Sequence, residues 1–192
     1  FVRCRFSHAD LRETVFEDCV FSDPDGQQGP VFAFSRLEQS SFARCDMRRA
    51  VFDGAELYAA TFRDCNLMGA RFSRSGFAKA FGRNVVRTHG CFAGSNLELA
   101  EMAGLKLPGL DLSGCRLRET DLSGADLEGA DLTGADLFQA VLDEARLARA
   151  DLRGAELSGV DPRVLASYQD LKINASQQHL LLTAMGIDVH AD

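Results

Sequence analysis

The sequence predicts an all-β, four-sided solenoid with a C-terminal helix. Three observations point there. Large apolar residues recur every five positions, aromatic ones gather at intervals of twenty, and the last thirty or so residues leave the period and read as a capped helix.

From residue 111 the chain reads DLSGC RLRET DLSGA DLEGA DLTGA DLFQA. The large apolar residue of each unit is its centre. Centres run from Phe32 through Leu37, Phe42, Met47, Phe52, Leu57, Phe62, Leu67 and Phe72 to Phe77, and resume from Phe92 to Leu157. Earlier, Phe1, Phe6, Leu11, Phe16 and Phe21 form a second phase. A period of five matches neither a helix nor a flat strand. A helix would smear the centres around its surface, and a strand would alternate them between faces. A square coil, one unit per side and corner, points every centre inward. Centres twenty apart then stack. Phe32, Phe52, Phe72 and Phe92 form one such column, continued by Leu112, Leu132 and Leu152; Phe42 and Phe62 form another, and Leu37, Leu57 and Leu97 a third. At ~4.8 Å per coil, about eight coils make a rod roughly 38 Å long.

Two interruptions break the pattern. Phe21 to Phe32 is eleven residues, and a six-residue insertion within Ser22–Pro30 (SDPDGQQGP) restores the columns. Its Pro, Asp and Gly are turn residues. The second interruption is Ala78–Cys91, where Gly82 and Arg87 stand at centre positions. An unpaired Arg is strongly disfavoured in a dry core. A decayed repeat and a projecting loop both fit, and the joint failure of several core positions favours the loop, with Arg83, Arg87 and His89 outward. The five-residue phase survives on both sides, so this excursion is expected to replace sides without changing the coil's count.

Two residues before each centre sits a small one, and five of the six Cys fall there: Cys4, Cys19, Cys45, Cys65 and Cys115. That phase favours small buried side chains over metal or redox chemistry, and reduced thiols fit the cytoplasm. The four His are isolated, and no metal spacing, nucleophile elbow or phosphate-binding Gly loop is present. The residues thus point to a binding protein with no cofactor, not an enzyme. No run approaches the ~18 apolar residues of a membrane span, and no secretory h-region is visible.

The repeat is expected to end at 161, leaving 162–192 as a tail. Leu171–Ile173 reads as a short strand. Asn174 or Ser176 caps a helix over Ala175–Met185, Gly186 ends it, and Ile187 and Val189 read as strand-like. Leu180, Leu181, Leu182 and Met185 make the helix too apolar to stand alone. It either caps the open coil end or, with Ile187 and Val189, contacts a second copy of the chain. The two roles are compatible.

Net charge is −7, which argues against nucleic acid as partner and leaves basic protein surfaces. Asp111–Leu157 holds eleven acids against five Arg. The position before each centre points outward, and Asp111, Asp131 and Asp151 form one column there, with Asp126 and Asp136 on neighbouring sides. A carboxylate ladder can imitate a DNA phosphate edge; alternatively, each Asp serves the hydrogen bonds of its own corner.

These repeats resemble the pentapeptide-repeat family, whose consensus is A-(D/N)-L-x-x. The resemblance covers residues 1–161 and implies a right-handed, quadrilateral β-helix. A small early loop, a larger midway loop and the tail LASYQDLKINASQQHLLLTAMGIDV together resemble the Qnr-type quinolone-resistance proteins. That likeness implies a homodimer joined through the tail, which binds DNA gyrase or topoisomerase IV and protects it from poisons. The loops of that group carry over to Asp23, Pro24, Asp25, Gly26, Gln27 and Gln28, and to Phe81, Arg83, Asn84, Val86, Arg87, Thr88 and His89. The loop residues themselves are not closely similar, and DLKINASQQ is longer than the matching stretch. A structural or adaptor solenoid with another protein partner is the competing expectation.

Overall fold

The computed structural model describes residues 1, 4–23, 25, 27–82, 85–188 and 190. The chain winds as a β-helix with four short sides per turn. Val31 pairs in parallel with Val51, Arg36 with Glu56, Ser41 with Thr61 and Asp46 with Asn66, each twenty residues on. One side extends into true strands: β1 (Val15–Glu17), β2 (Ser41–Ala43) and β3 (Thr61–Arg63), in that order. Elsewhere each side is a single bridge. Phe32 N–H donates to Val51 O at 2.7 Å, and Val51 N–H donates back to Pro30 O at 2.9 Å. At each corner the chain turns on an i to i+3 bond, as from Ala55 N–H to Phe52 O at 2.9 Å.

The centres fill the interior: every one from Phe32 to Phe77, and from Phe92 to Leu157, is buried. The residue two places earlier is also buried and mostly small, with Leu105 and Leu110 the larger exceptions. Where it is polar, its hydroxyl is satisfied. Ser35 Oγ donates to Phe32 O at 2.6 Å, Ser95 Oγ to Phe62 O at 2.9 Å and Thr120 Oγ1 to Leu97 O at 2.8 Å. Buried hydroxyls without such bonds would be unfavourable. Cys45, Cys65 and Cys115 occupy the same row. Burial pushes the Cys65 and Cys115 thiols up to about 12, which removes the thiolate that redox or metal chemistry requires.

The first insertion shifts the register by six. Arg5 pairs with Val31 and Asp10 with Arg36, twenty-six residues apart. Phe6 stacks on Phe32 at 4.9 Å and 7°, and Phe16 on Phe42 at 4.9 Å and 12°.

The second interruption corrects the expected columns. Thr61 pairs with Cys91, Asn66 with Asn96 and Arg71 with Glu101, thirty residues apart. Ten residues are therefore inserted; the coil's count does change. Phe92 stacks on Phe62 (5.0 Å, 10°) and meets Phe72 edge-on (5.6 Å, 88°). Leu97 lies over Leu67, not Leu57. Ten residues equal two sides, so the period of five survives while the turn of twenty slips by half. Phase at five cannot reveal that slip.

The inserted residues form an antiparallel hairpin, β4 (Ala78–Phe81) with β5 (Val85–Thr88). His89 rejoins the coil, its N–H donating to Phe77 O at 3.1 Å and its carbonyl accepting from Ala59 N–H at 2.8 Å.

The ladder also outruns the expected boundary at 161. Ser167 pairs with Arg146 and Lys172 with Asp151, twenty-one residues on. The extra residue is taken up at a short 3-10 turn, Pro162–Val164, where Asp161 accepts from Arg163 N–H. Lys172 thus makes one bridge where a short strand was expected. Helix α1 spans Ala175–Ala184. Gln177 secures it, accepting Asn174 N–H at 2.6 Å and donating to Leu152 O and Ala155 O at 2.8 Å each. The helix therefore satisfies the Ala155 carbonyl, which the end of the coil would leave bare, and adds a second donor to Leu152 O, which already accepts Ala155 N–H. Ile187 is in no strand, and Val189 lies outside the described residues. Among the described residues, no helix is long and apolar enough to cross a membrane.

Candidate protein-binding surface

The two insertions and the last third of the rod supply the exposed features that distinguish this coil from a plain one. In the first insertion, Asp25, Gln27 and Gln28 are exposed, and Pro24 and Gly26 lie outside the described residues. Asp23 differs from the expected contact role: it is 2% exposed. Its Oδ1 accepts Gln27 N–H at 2.8 Å and Gln28 N–H at 3.3 Å, and its own N–H donates to Gln28 O at 3.2 Å. Asp23 closes the loop, and Gln27 and Gln28 are what the loop presents. Gly29 then passes so near the backbone of Arg48 and Arg49 that a Cβ would overlap it.

The hairpin carries a mixed apolar and cationic surface. Phe81, Val86, Arg87 and His89 are exposed and Thr88 is half-buried; Arg83 and Asn84 lie outside the described residues. Arg87 covers the Phe81 ring at 5.8 Å. Phe81 in turn packs edge-on against Tyr58 of the coil at 5.5 Å, and the Lys79 ammonium sits 5.7 Å from the same ring. These contacts set how the hairpin leans on the rod. Sequence reasoning overlooked Tyr58 and Lys79. The available signal was one of only two Tyr, placed at an outward position directly after a centre.

Asp111, Asp131 and Asp151 pair in register through consecutive coils, as do Asp126 with Arg146 and Asp136 with Glu156. Each Asp also serves its corner. Oδ1 of Asp111, Asp126, Asp131, Asp136 and Asp151 accepts the N–H two residues on, at 2.9–3.2 Å. Ser113 and Thr133 hydroxyls add bonds of 2.7 Å. For Asp111, burial pushes the carboxyl up, but bonds from Ser113 and Cys91 outweigh it and leave the pKa below the usual range. The bidentate Arg153 fork holds Asp151 down at about 2. Arg153 also neutralises the last rung of the ladder, and Arg118 meets Asp136 at 3.2 Å. The ladder is thus anionic at Asp111 and Asp131 and balanced by Arg153 at its helix end.

At the tail, Leu181 is buried, Leu180, Leu182 and Met185 are half-buried, and Ile187 is exposed. Leu171, Ile173 and Leu180 pack against the core. Half-buried Leu182 and Met185 and exposed Ile187 keep some apolar surface outside the coil contact, beside the polar Gln178, His179 and Thr183.

The model of the family described as pentapeptide repeats matches residues 1–25, 35–74, 95–134 and 130–161, in eight copies. The chain belongs to this family. The gaps in the match fall on the first insertion and the hairpin. Within the pentapeptide-repeat proteins, a quinolone resistance protein, QnrB96 of Scandinavium goeteborgense, is 30% identical over 112 residues, 53% of this chain and 52% of that protein. The chain thus spans about half the length of the curated relative it matches. Solved structures of QnrB1, a plasmid-mediated fluoroquinolone resistance protein, match more widely. One trypsin-treated variant superposes with TM-score 0.91 at 28% identity, covering 100% of this chain and 89% of the other. A second gives 0.87 at 29%, covering 99% and 87%. The full-length form gives 0.76 at 26%, covering 97% and 87%.

Proposed function

We propose that this chain is a protein-binding factor, not an enzyme, that engages a type II topoisomerase, DNA gyrase or topoisomerase IV, and protects it from poisons such as fluoroquinolones or natural-product toxins. The observation that carries this is the match over 100% of the chain to a fluoroquinolone resistance protein at TM-score 0.91. A generic coil would share the sides but not the whole path with its interruptions.

The chemistry agrees with such a role. Carboxylates one coil apart, at ~4.8 Å, present anionic charge along a rod and would compete for a basic DNA-binding groove by the same electrostatics that bind DNA. Gln27 and Gln28, and the Phe81–Arg87 hairpin, offer the partner hydrogen-bonding and apolar contacts. The apolar tail helix joins two copies, with Leu182, Met185 and Ile187 at the junction. The buried Cys65 and Cys115 thiols, pushed up to about 12, are not poised as nucleophiles.

A supercoiling assay with purified gyrase and a fluoroquinolone tests the reading. Addition of the protein restores supercoiling. Neither rescue nor inhibition at any protein concentration would sink it and leave an adaptor solenoid for another protein. Truncation before Asn174 should yield monomers or aggregates by light scattering; an unchanged dimer refutes the tail as the junction.

A further inference from the structure

One carboxylate beneath the hairpin is incompletely satisfied. Glu38 follows the centre Leu37 at a position that elsewhere in the coil faces solvent, yet it is 7% exposed. Its Oε2 has no hydrogen-bond partner. Its Oε1 lies 3.7 Å from Lys79 Nζ and 3.8 Å from an Arg36 guanidinium nitrogen, both longer than a charge-assisted hydrogen bond. A buried carboxylate is strongly unfavourable unless donors surround it. The surrounding chain brings cations near without closing a bond.

The same carboxylate lines a cleft of about 370 Å³ between the hairpin strand β4 and the coil, with Glu56, Tyr58, Arg74 and Lys79 on its other walls. That volume is at the small end of ligand sites, about 300–1,000 Å³. The hairpin creates the cleft by lifting the chain off the coil at Ala78. A smaller cleft on the other side of the hairpin base is lined by Arg74 and Lys106 and has no carboxylate. Arg36, near the Glu38 carboxylate, is engaged with the cleft residue Glu56 at 3.3 Å. Lys79 is 46% exposed and touches both the Glu38 carboxylate and the Tyr58 ring loosely.

We propose that this cleft receives a guanidinium group, with Lys79 as a displaceable stand-in. A planar guanidinium can donate to both Glu38 oxygens at once, which an ammonium cannot do with the same geometry. It can also lie on the Tyr58 face. The group could belong to a small molecule or to an arginine side chain of a bound protein. The inference rests on the cleft and is independent of the topoisomerase reading.

NMR titration of the intact chain with N-methylguanidinium and with acetyl-arginine amide tests it. Saturable shifts are expected at the amides of Glu38, Tyr58 and Ala80, with acetyl-lysine amide binding several-fold more weakly. Lys79→Ala, which removes the stand-in, should tighten binding. Glu38→Gln should weaken it by about tenfold or more. Tyr58→Ala provides a second, surface variant, expected to weaken binding several-fold should Glu38→Gln not fold. Equal affinity for the two guanidinium probes indicates that the group alone suffices, whereas tighter binding of the amide indicates an arginine side chain in a polypeptide. Shifts that do not saturate, or that are unchanged by Glu38→Gln and Tyr58→Ala, overturn the proposal.

Discussion

The coils before and after the hairpin solve the same problem with different residues. Before it, the interior is stacked Phe: Phe32 on Phe52 at 5.2 Å, Phe52 on Phe72 at 4.8 Å and Phe42 on Phe62 at 5.0 Å. After Phe92 every centre is Leu or Met. The corners differ too. Early corners at positive φ mostly carry side chains, as at His8, Phe34, Arg44, Arg49 and Arg74, with Gly54 and Gly69 the exceptions. Later ones are more often Gly, as at Gly104, Gly109, Gly114, Gly124, Gly129, Gly134 and Gly154, with Leu99, Glu119, Gln139, Glu144 and Arg149 keeping side chains. A side chain in the left-handed region is disfavoured by about 1–2 kcal/mol, which Gly avoids. A stacked ring pair adds about 0.5–1.5 kcal/mol beyond its burial. The Phe-rich part can therefore carry strained corners and two insertions. The Leu-rich part is regular, and its surface is free for charge.

The sharpest way to break this comparison is in the core. Phe62 stacks on both Phe42 and Phe92, while Leu132 occupies the same column further along. Phe62→Ala should cost about 3–5 kcal/mol, and Leu132→Ala about 2–5 kcal/mol. The additional ring stacking should make Phe62→Ala the larger loss, read as a shift in denaturant midpoint. Equal losses would mean that stacking adds nothing beyond area.

Removing the hairpin tests the register. Deleting residues 79–88 joins Ala78 to His89, so Phe77 and Phe92 become consecutive centres five apart and the turn of twenty is restored. The deletion should leave the melting temperature within a few degrees, ~2–4 °C, while abolishing gyrase rescue. A misfolded product would mean that the hairpin holds the coil together; retained rescue would remove the hairpin from the proposed partner surface. Deleting Asp23–Gln28 is the matching test of the first loop. Because Asp23 closes that loop internally, Gln27→Ala with Gln28→Ala separates loss of contact from loss of loop shape.

The period of five was legible because every coil repeats it: Leu112, Leu132 and Leu152 can be read as a column from the text alone. The slip at the hairpin was not legible, because an insertion of ten is invisible to a five-residue phase. Only partners such as Phe62 and Phe92 reveal it, and both columns offered a Phe. The end of the coil was hidden for a related reason. Ser167 and Lys172 pair through backbone atoms, and the one-residue offset at Pro162–Val164 leaves their side chains outside the pattern. Asp23 illustrates the limit for surface residues: composition marks a turn, but not which Asp is buried as its clasp.

Corner chemistry gives a smaller contrast. Gly134 has φ +66°, so Gly134→Ala should cost about 1 kcal/mol. Leu99, half exposed at φ 60°, is a late corner that kept a side chain, and Leu99→Gly should be neutral or stabilising by less than ~1 kcal/mol. Loss of stability in Leu99→Gly would mean that exposed corner side chains contribute packing.

The smallest effect concerns charge and is shared by both parts. Asp10 and Asp151 each receive a bidentate Arg two residues on, and each has its pKa lowered from 3.8 to about 2 by that hydrogen bond. A carboxyl with a depressed folded pKa contributes stability above its unfolded value and loses it as pH falls through the folded one. The contribution is therefore full above about pH 4 and gone near pH 2. Asp10–Arg12 is exposed and Asp151 is half-buried beside an exposed Arg153, so Asp10→Asn or Asp151→Asn should lower the melting temperature by only ~1–2 °C at pH 6. The gap to the parent should close between pH 4 and 2. Little or no gap at any pH would assign the stabilisation to the corner hydrogen bond, which Asn can also accept, and not to charge. If so, the ladder's Asp residues hold their coil as corner groups, and their charge is free to serve a partner.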